Sequence, residues 1–308
     1  MSAKVFIDGE AGTTGLQIRE KLASLQGVSL VSIPAESRKD VAAKTRLLRD
    51  VDIAILCLPD AAAKETAALI EAMGEGAPRM IDASSAHRVA PNWVYGFPEL
   101  AAGQREAIAR ASKVSNPGCY ATGAIALLRP LVAAGLIPSD WPITINAVSG
   151  YSGAGRTGIE TYESGKAPPF ELYALGLEHK HVPEIVAYSN LKTRPIFVPS
   201  VANFRQGMLV SIPLHLDALP GKPQSAALGA ALAEHYRGSE FVRVEPVIEA
   251  GAHTSVLEAE SLNGTNAMQL RVFANEPRRH AVLVAKLDNL GKGASSAAVQ
   301  NLRLMLGL

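Results

Sequence analysis

The chain has 308 residues, 48% of them hydrophobic and 19% charged, with a formal net charge of +1. That length suits two domains with substantial cores, and the composition excludes a disordered chain. The near-neutral balance excludes a general field steering the surface toward nucleic acid or membrane, and no apolar run is long enough for a spanning helix. Cys57 and Cys119 are the only cysteines, so no disulfide framework is expected. The opening MSAKVFIDGEAG lacks a secretory signature. The expected location is therefore the cytoplasm.

In chain order, Lys4–Ile7 is a short apolar run before a glycine turn, and Gly15–Leu25 carries apolar residues at helical spacing. Val28–Ile33, Val51–Leu58 and Met80–Ala83 are further strand candidates, with the alanine-rich Ala61–Met73 helical between the last two. Short buried strands alternating with helices predict a Rossmann-type parallel sheet covered on both faces. After Cys119 the pattern changes. Ala121–Ala134 reads as a helix, followed by longer strands at Ile143–Val148, Pro195–Val201, Met208–Leu216 and Met268–Ala274. The alternation in SVLEAESLNGTNAMQLRVFA predicts a hairpin turning at Asn263-Gly264. The second domain is thus expected to be α+β with a mixed or antiparallel sheet. Ala281–Leu308 contains a helical stretch at Ala297, Val299, Leu302, Leu304 and Met305. The expected division is 1–118 with 287–308, and 119–286.

Gly9, Gly12 and Gly15 stand between the first strand and the first helix. Such a loop lets backbone approach a pyrophosphate, and the helix N-terminus supplies amides and the positive end of its dipole. The spacing is G-x-x-G-x-x-G rather than G-x-G-x-x-G, and a tight turn that binds nothing has the same composition. Beyond the second strand lies Pro34-Ala35-Glu36-Ser37-Arg38-Lys39. An acidic residue here suits the ribose hydroxyls of NAD, whereas Ser37, Arg38 and Lys39 suit the 2′-phosphate of NADP. The two signals conflict.

Cys119 follows the turn Asn116-Pro117-Gly118 and opens the predicted helix. The helix dipole there favours thiolate, and the first amides can receive an oxyanion. A lone cysteine is more often a small buried hydrophobe, which suits Cys57 inside its apolar strand. His179 and His181, in LEHKHVPEI, lack the further Cys or His cluster that a zinc site needs, so no metal is expected. Either histidine can instead hold a thiolate and exchange protons with substrate oxygen.

Ser115–Thr122, His179–Ile185 and Asp288–Ala294 (DNLGKGA), in that order behind the DGEAGTTG turn, resemble the N-acetyl-γ-glutamyl-phosphate reductase family of arginine biosynthesis. The resemblance is to its shorter branch and runs from about residue 3 to the C-terminus. It implies reduction of N-acetyl-γ-glutamyl phosphate by NADPH, through a Cys119 thioester, to the semialdehyde with release of inorganic phosphate. It implies His181, or else His179, as acid/base. It implies cofactor contacts at Gly9, Gly12, Thr13, Thr14, Gly15, Ser37, Arg38, Asn289 and Gly291. Substrate contacts are implied at Arg88, Ser152, Gly153, Glu184 and Arg156, and the expected assembly is a homo-oligomer, dimer or tetramer. Ser84-Ser85-Ala86-His87-Arg88 departs from the Ser-Ala-Asp-Phe-Arg pattern of the longer branch. The rival readings are a sister reductase of aspartyl or aminoadipyl phosphate, a Cys–His hydrolase or acyltransferase without redox chemistry, and a non-catalytic NADP sensor.

Overall fold

The computed structural model describes residues 2–38, 40–251 and 256–308. Two compact units emerge, one of 1–98, 102–117 and 294–308, the other of 99–101 and 118–293.

The first unit is a parallel sheet. Its strands are β1 (Ala3–Asp8), β2 (Val28–Val31), β3 (Ile53–Leu56), β4 (Arg79–Asp82), β5 (Val94–Tyr95) and β6 (Lys113–Ser115), in the order β2-β1-β3-β4-β6-β5. Connecting helices are α1 (Thr13–Ala23), α2 (Val41–Arg49), α3 (Asp60–Glu71) and α4 (Gln104–Arg110). Central strands buried on both faces need the near-continuous apolar runs that β1 and β3 have; Val5, Phe6, Ile53 and Ile55 are all buried. β1 sits between β2 and β3, so the strand order reverses at its carboxyl end. The glycine turn leaves the sheet at that switch point, where open α/β sheets place ligands.

The second unit is built on α5 (Cys119–Ala133), β7 (Thr144–Gly150), α6 (Gly155–Glu163), β8 (Phe170–Leu172), α7 (Val182–Tyr188), β9 (Ile196–Ala202), β10 (Met208–His215), α8 (Ser225–His235), β11 (Val242–Val244), β12 (Ile248–Glu249), β13 (Met268–Asn275) and β14 (His280–Leu287). The sheet order is β11-β13-β14-β10-β7-β9-β8, with β12 also on β13. It is mixed: β7 and β9 run parallel, whereas β10 pairs antiparallel with both β7 and β14. α5 packs on β10, β13 and β14. Alternation along β10 sends Met208, Val210, Ile212 and Leu214 into the core and leaves Leu209 and Ser211 half-buried on the opposite face.

The expected hairpin at Asn263-Gly264 does not form. Ser255, where it was to start, lies outside the described residues, and Val256–Ala267 is turn and coil. β13 instead pairs in antiparallel register with β14, Met268 opposite Leu287 and Asn275 opposite His280. The tight connection is Glu276–Arg279, where Asn275 accepts from the Arg278 amide at 3.2 Å and Arg279 adopts φ +55°. Asn-Gly chemistry marked a turn, but β13 finds eight paired residues on β14. The return to the first unit comes at Ala294, later than the expected 287, because Asp288 and Asn289 are bound inside the second. Asp288 accepts from the Gly264 amide at 2.7 Å, and Asn289 accepts from the Gly207 amide at 2.8 Å. α9 (Ser296–Leu306) then packs against α1, with Ile18, Leu22, Leu302 and Met305 in one core.

Candidate active site

In the first unit the glycine turn is closed so tightly that side chains are excluded. Gly9 has φ +89°, and a Cβ there would lie 2.2 Å from the Cys57 carbonyl; one at Gly15 would lie 2.4 Å from the Gly9 carbonyl. α1 starts at Thr13 with no side-chain cap, which leaves its first amides facing the turn. A cavity of about 300 Å³ opens beside it, lined by Gly9, Glu10, Gly12, Ile33, Arg38 and Lys44 among others. Ser37 is half-buried and Arg38 exposed at this edge; Lys39 lies outside the described residues. Cys57 packs into the core, where burial, followed by the Asp82 and Asp8 carboxylates, pushes its thiol up to about 12. Arg88 is buried in the same unit and donates from Nε to the Asn116 carbonyl at 3.1 Å.

In the second unit Cys119 is the first residue of α5, directly after the N-cap Gly118. The Gly118 amide donates to the carboxylate of Glu184 at 3.0 Å, and Glu184 is buried in the first turn of α7. His181 is the N-cap of the same helix, so the His-x-x-Glu spacing fixes the histidine and the carboxylate on one turn. Gly293 packs against Cys119: a Cβ there would lie 2.8 Å from the Cys119 Cβ. The sequence reading placed Gly293 inside a recognised motif but gave it no role; only the approach distance does so.

The histidine pair is ordered by a chain of hydrogen bonds. The His181 amide donates to His179 Nδ1 at 3.1 Å, and His179 Nε2 meets the Tyr173 hydroxyl at 3.3 Å. Tyr120 donates to the Ser200 carbonyl at 2.8 Å. A backbone amide can only donate, so His179 Nδ1 is the acceptor and its ring proton sits on Nε2, toward Tyr173; a carbonyl can only accept, so Tyr120 is the donor to Ser200. Burial pushes both hydroxyls well above the ordinary tyrosine range, and the nearby Cys119 adds to the rise in each. Tyr120 also stacks its ring edge within 5.8 Å of both histidine rings. Tyr120 and Tyr173 escaped the sequence reading, since no spacing links Tyr173 to Cys119.

The remaining expected contacts are spread more widely. Ser152 is buried and accepts from the Asn289 amide group at 3.0 Å. With its oxygen on Gly207, Asn289 thus has both ends of its side chain engaged within this unit. Gly291 approaches the Thr265 carbonyl, where a Cβ would lie at 2.2 Å. Gly153 and Arg156 are exposed, Gly153 in the loop before α6 and Arg156 on it.

A parallel sheet with a glycine turn at its switch point, followed by a mixed-sheet unit that opens on a cysteine, agrees with two family profiles. Residues 4–111 match the semialdehyde dehydrogenase NAD binding domain and 119–289 the semialdehyde dehydrogenase dimerisation domain. A protein of Chelativorans sp. (strain BNC1) named N-acetyl-gamma-glutamyl-phosphate reductase is 54% identical, with 99% of each chain covered. The chain belongs to the N-acetyl-gamma-glutamyl-phosphate reductase family. The same name is carried by a Burkholderia cenocepacia relative, 53% identical over 98% of this chain and 97% of that one. At the level of fold alone, an aspartate semialdehyde dehydrogenase from Francisella tularensis superposes with a TM-score of 0.74 at 13% identity, covering 99% of this chain and 100% of that chain.

The two cysteines are expected to differ sharply toward iodoacetamide. Mass spectrometry should find Cys119 carboxamidomethylated first at neutral pH, since a thiol pushed up to about 12 leaves Cys57 protonated. Gly293→Val should slow that reaction and turnover by about 10²-fold, the usual effect of displacing a reacting group by an ångström. Equal labelling of the two thiols, or unaltered kinetics in Gly293→Val, would contradict the site as described.

Proposed function

We propose that the protein is an NADPH-dependent N-acetyl-γ-glutamyl-phosphate reductase of arginine biosynthesis, with Cys119 as its covalent nucleophile. The observation that carries the reading is Cys119 at the start of α5, with its N-cap amide held by buried Glu184 and its neighbour Tyr120 joined to the ordered histidine pair. The first unit serves as the cofactor domain. Its switch-point glycine turn, the uncapped start of α1 and the adjoining cavity fit a dinucleotide, with Gly9, Gly12, Thr13, Thr14 and Gly15 along the pyrophosphate and Ser37 and Arg38 toward the adenosine.

Cys119 Sγ attacks the acyl carbon, and the carbon–oxygen bond to phosphate breaks, releasing inorganic phosphate and leaving a thioester. NADPH bound by the first unit would supply the hydride that reduces this carbon. The resulting oxyanion on the Cys119-bound carbon is received by the first amides of α5, then collapses to the aldehyde with the thiolate as leaving group. His181 takes the thiol proton before attack, and as the imidazolium it faces the developing oxyanion. His179 is the positioning member of the pair: protonating its Nδ1 would break its bond from the His181 amide. Glu184 orients the start of α5. Ser152 and Asn289 brace one another, while Arg88, Gly153 and Arg156 are assigned to substrate anion and amide groups. A reducing cytoplasm suits a thiol nucleophile.

The uncovered face of the second unit's sheet is assigned to a second copy of the chain. A groove of about 690 Å³ runs across it, lined largely by apolar residues such as Phe170, Leu172, Leu209, Phe273 and Val282. Exposed Phe170, Leu172 and Val282 form an apolar surface of the kind that marks an interface, in the segment that matches a dimerisation domain. Val282→Glu should convert the assembly to a folded monomer in sedimentation velocity; an unchanged assembly removes this face from the interface.

Two kinetic experiments test the chemistry. In the reverse direction, phosphate- and NADP-dependent oxidation of N-acetylglutamate semialdehyde should vanish in Cys119→Ser, with folding and nucleotide binding intact. Aspartate semialdehyde should be poorer by roughly 10⁴ in kcat/KM, as for a site rejecting an analogue that lacks its polar handle. Preference for aspartate semialdehyde defeats the substrate reading. His181→Asn should lower kcat by roughly 10²–10⁴-fold. His179→Asn should retain more activity and respond to Tyr173→Phe non-additively. The reverse ranking would exchange the two histidines' roles.

A further inference from the structure

At the edge of the cofactor cavity a carboxylate sits in a three-donor anion site. Glu10 lies within the glycine turn, between Gly9 and Gly12. Its Oε1 accepts from Arg38 Nη2 at 3.1 Å. Its Oε2 accepts from Arg19 Nη1 and from the Ser32 hydroxyl, the latter at 3.0 Å. Arg19 also donates to the Ser32 hydroxyl at 2.8 Å, so the three donors are tied into one cluster. Three separate segments build it: Arg19 from α1, Ser32 from just beyond the carboxyl end of β2, and Arg38 from the following turn.

The position and the charge both point to one ligand. In doubly wound sheets, the adenosine ribose is read just beyond the second strand, where Ser32 stands. Two guanidinium groups against one carboxylate leave an excess positive charge. A phosphate monoester carries nearly two negative charges and three acceptor oxygens, and so matches three donors better than a carboxylate with two. The Glu10 side chain is 16% exposed, against 46% for Arg19 and 44% for Arg38, so the anion is the inner member and the cations face the solvent from which a ligand enters.

We infer that Glu10 occupies the seat of the cofactor's 2′-phosphate, that Arg19, Ser32 and Arg38 are that phosphate's donors, and that Glu10 is a built-in competitor which the phosphate displaces. The inference rests on the NADPH reading and adds Arg19 and Ser32 to it, with Glu10 as a determinant of discrimination. While no nucleotide is bound, Glu10 holds both arginines in place and keeps their charges compensated. A dinucleotide without the 2′-phosphate has nothing to move it with, and meets a carboxylate already satisfied by three donors. The 2′-phosphate exchanges one anion for a stronger one on the same donors.

Calorimetric titration of the full chain with 2′,5′-ADP and with 5′-AMP tests this without turnover. The wild type should bind 2′,5′-ADP more tightly than 5′-AMP; equal binding would remove the NADPH reading itself, and this proposal with it. Given that preference, Arg19→Met should weaken 2′,5′-ADP by about tenfold or more, the loss of a charge-assisted phosphate contact, and leave 5′-AMP within about twofold. Glu10→Gln should tighten 2′,5′-ADP by up to about fivefold, the worth of a partly exposed ion pair no longer competing, with 5′-AMP unaffected. Ser32→Ala should weaken 2′,5′-ADP alone, which keeps the assignment testable if a Glu10 variant folds poorly. An unchanged 2′,5′-ADP to 5′-AMP ratio in Arg19→Met would overturn the donor set. Weaker 2′,5′-ADP binding in folded Glu10→Gln would overturn the competitor role. Binding of inorganic phosphate alone at comparable strength, lost in Arg19→Met, would give the donors to a free anion and overturn the assignment to the nucleotide.

Discussion

Glu184 buries a carboxylate against the amide of Gly118, and the placement of Cys119 follows from that contact. A hydrogen bond to a buried charged group contributes on the order of 1.5–3 kcal/mol, enough to fix one backbone amide in one position. That amide belongs to Gly118, the N-cap residue of α5, so Cys119 one residue later inherits the orientation of the helix axis and its dipole. α5 lies on β10, β13 and β14, so Cys119 is referred to the sheet rather than to a loop. Gly293 closes the arrangement by leaving no room for Cys119 to shift toward it. Precision of this kind suits covalent catalysis, where attack geometry governs rate.

The histidine pair shows how a backbone can choose between two chemically identical side chains. His179 and His181 differ in sequence by a single intervening lysine, yet one has its Nδ1 filled by the amide of the other. The donor-only amide sets the His179 tautomer, and the acceptor-only carbonyl of Ser200 sets the direction of the Tyr120 hydroxyl. Burial reinforces the order by keeping the tyrosines protonated. The Tyr173 hydroxyl and the His181 amide thus hold the tautomer and ring orientation of His179.

The first unit handles charge differently. Its glycines are required by backbone packing: Gly9 against Cys57 and Gly15 against Gly9 leave no space for a side chain. The turn therefore brings the Glu10 carboxylate to the donors at the cavity edge, where an acidic residue is unexpected in a site for phosphates. The apparent conflict between acidic and basic signals after β2 has a spatial answer. Arg38 converges with Arg19 and Ser32 on Glu10, whereas Glu36 is exposed and in none of these bonds.

Local pattern alone determined much of this protein. The apolar runs of β1 and β3, the glycine turn and the start of α5 at Cys119 all depend on contacts within a few residues, which composition and spacing encode. The resemblance of three ordered motifs then named the chemistry. Tertiary structure decided what depends on partners distant in the chain. β13 chose β14 over the segment around Asn263-Gly264 because the longer register satisfies more backbone groups. Asp288 and Asn289 held the chain in the second unit up to Gly293, through bonds to residues 24 and 82 positions away. Tyr173 and Arg19 have no local signature, and Gly293 lies in a motif that gave it no role, because a hydroxyl, a guanidinium and a missing side chain acquire their roles only from what the fold brings within about 3 Å of them.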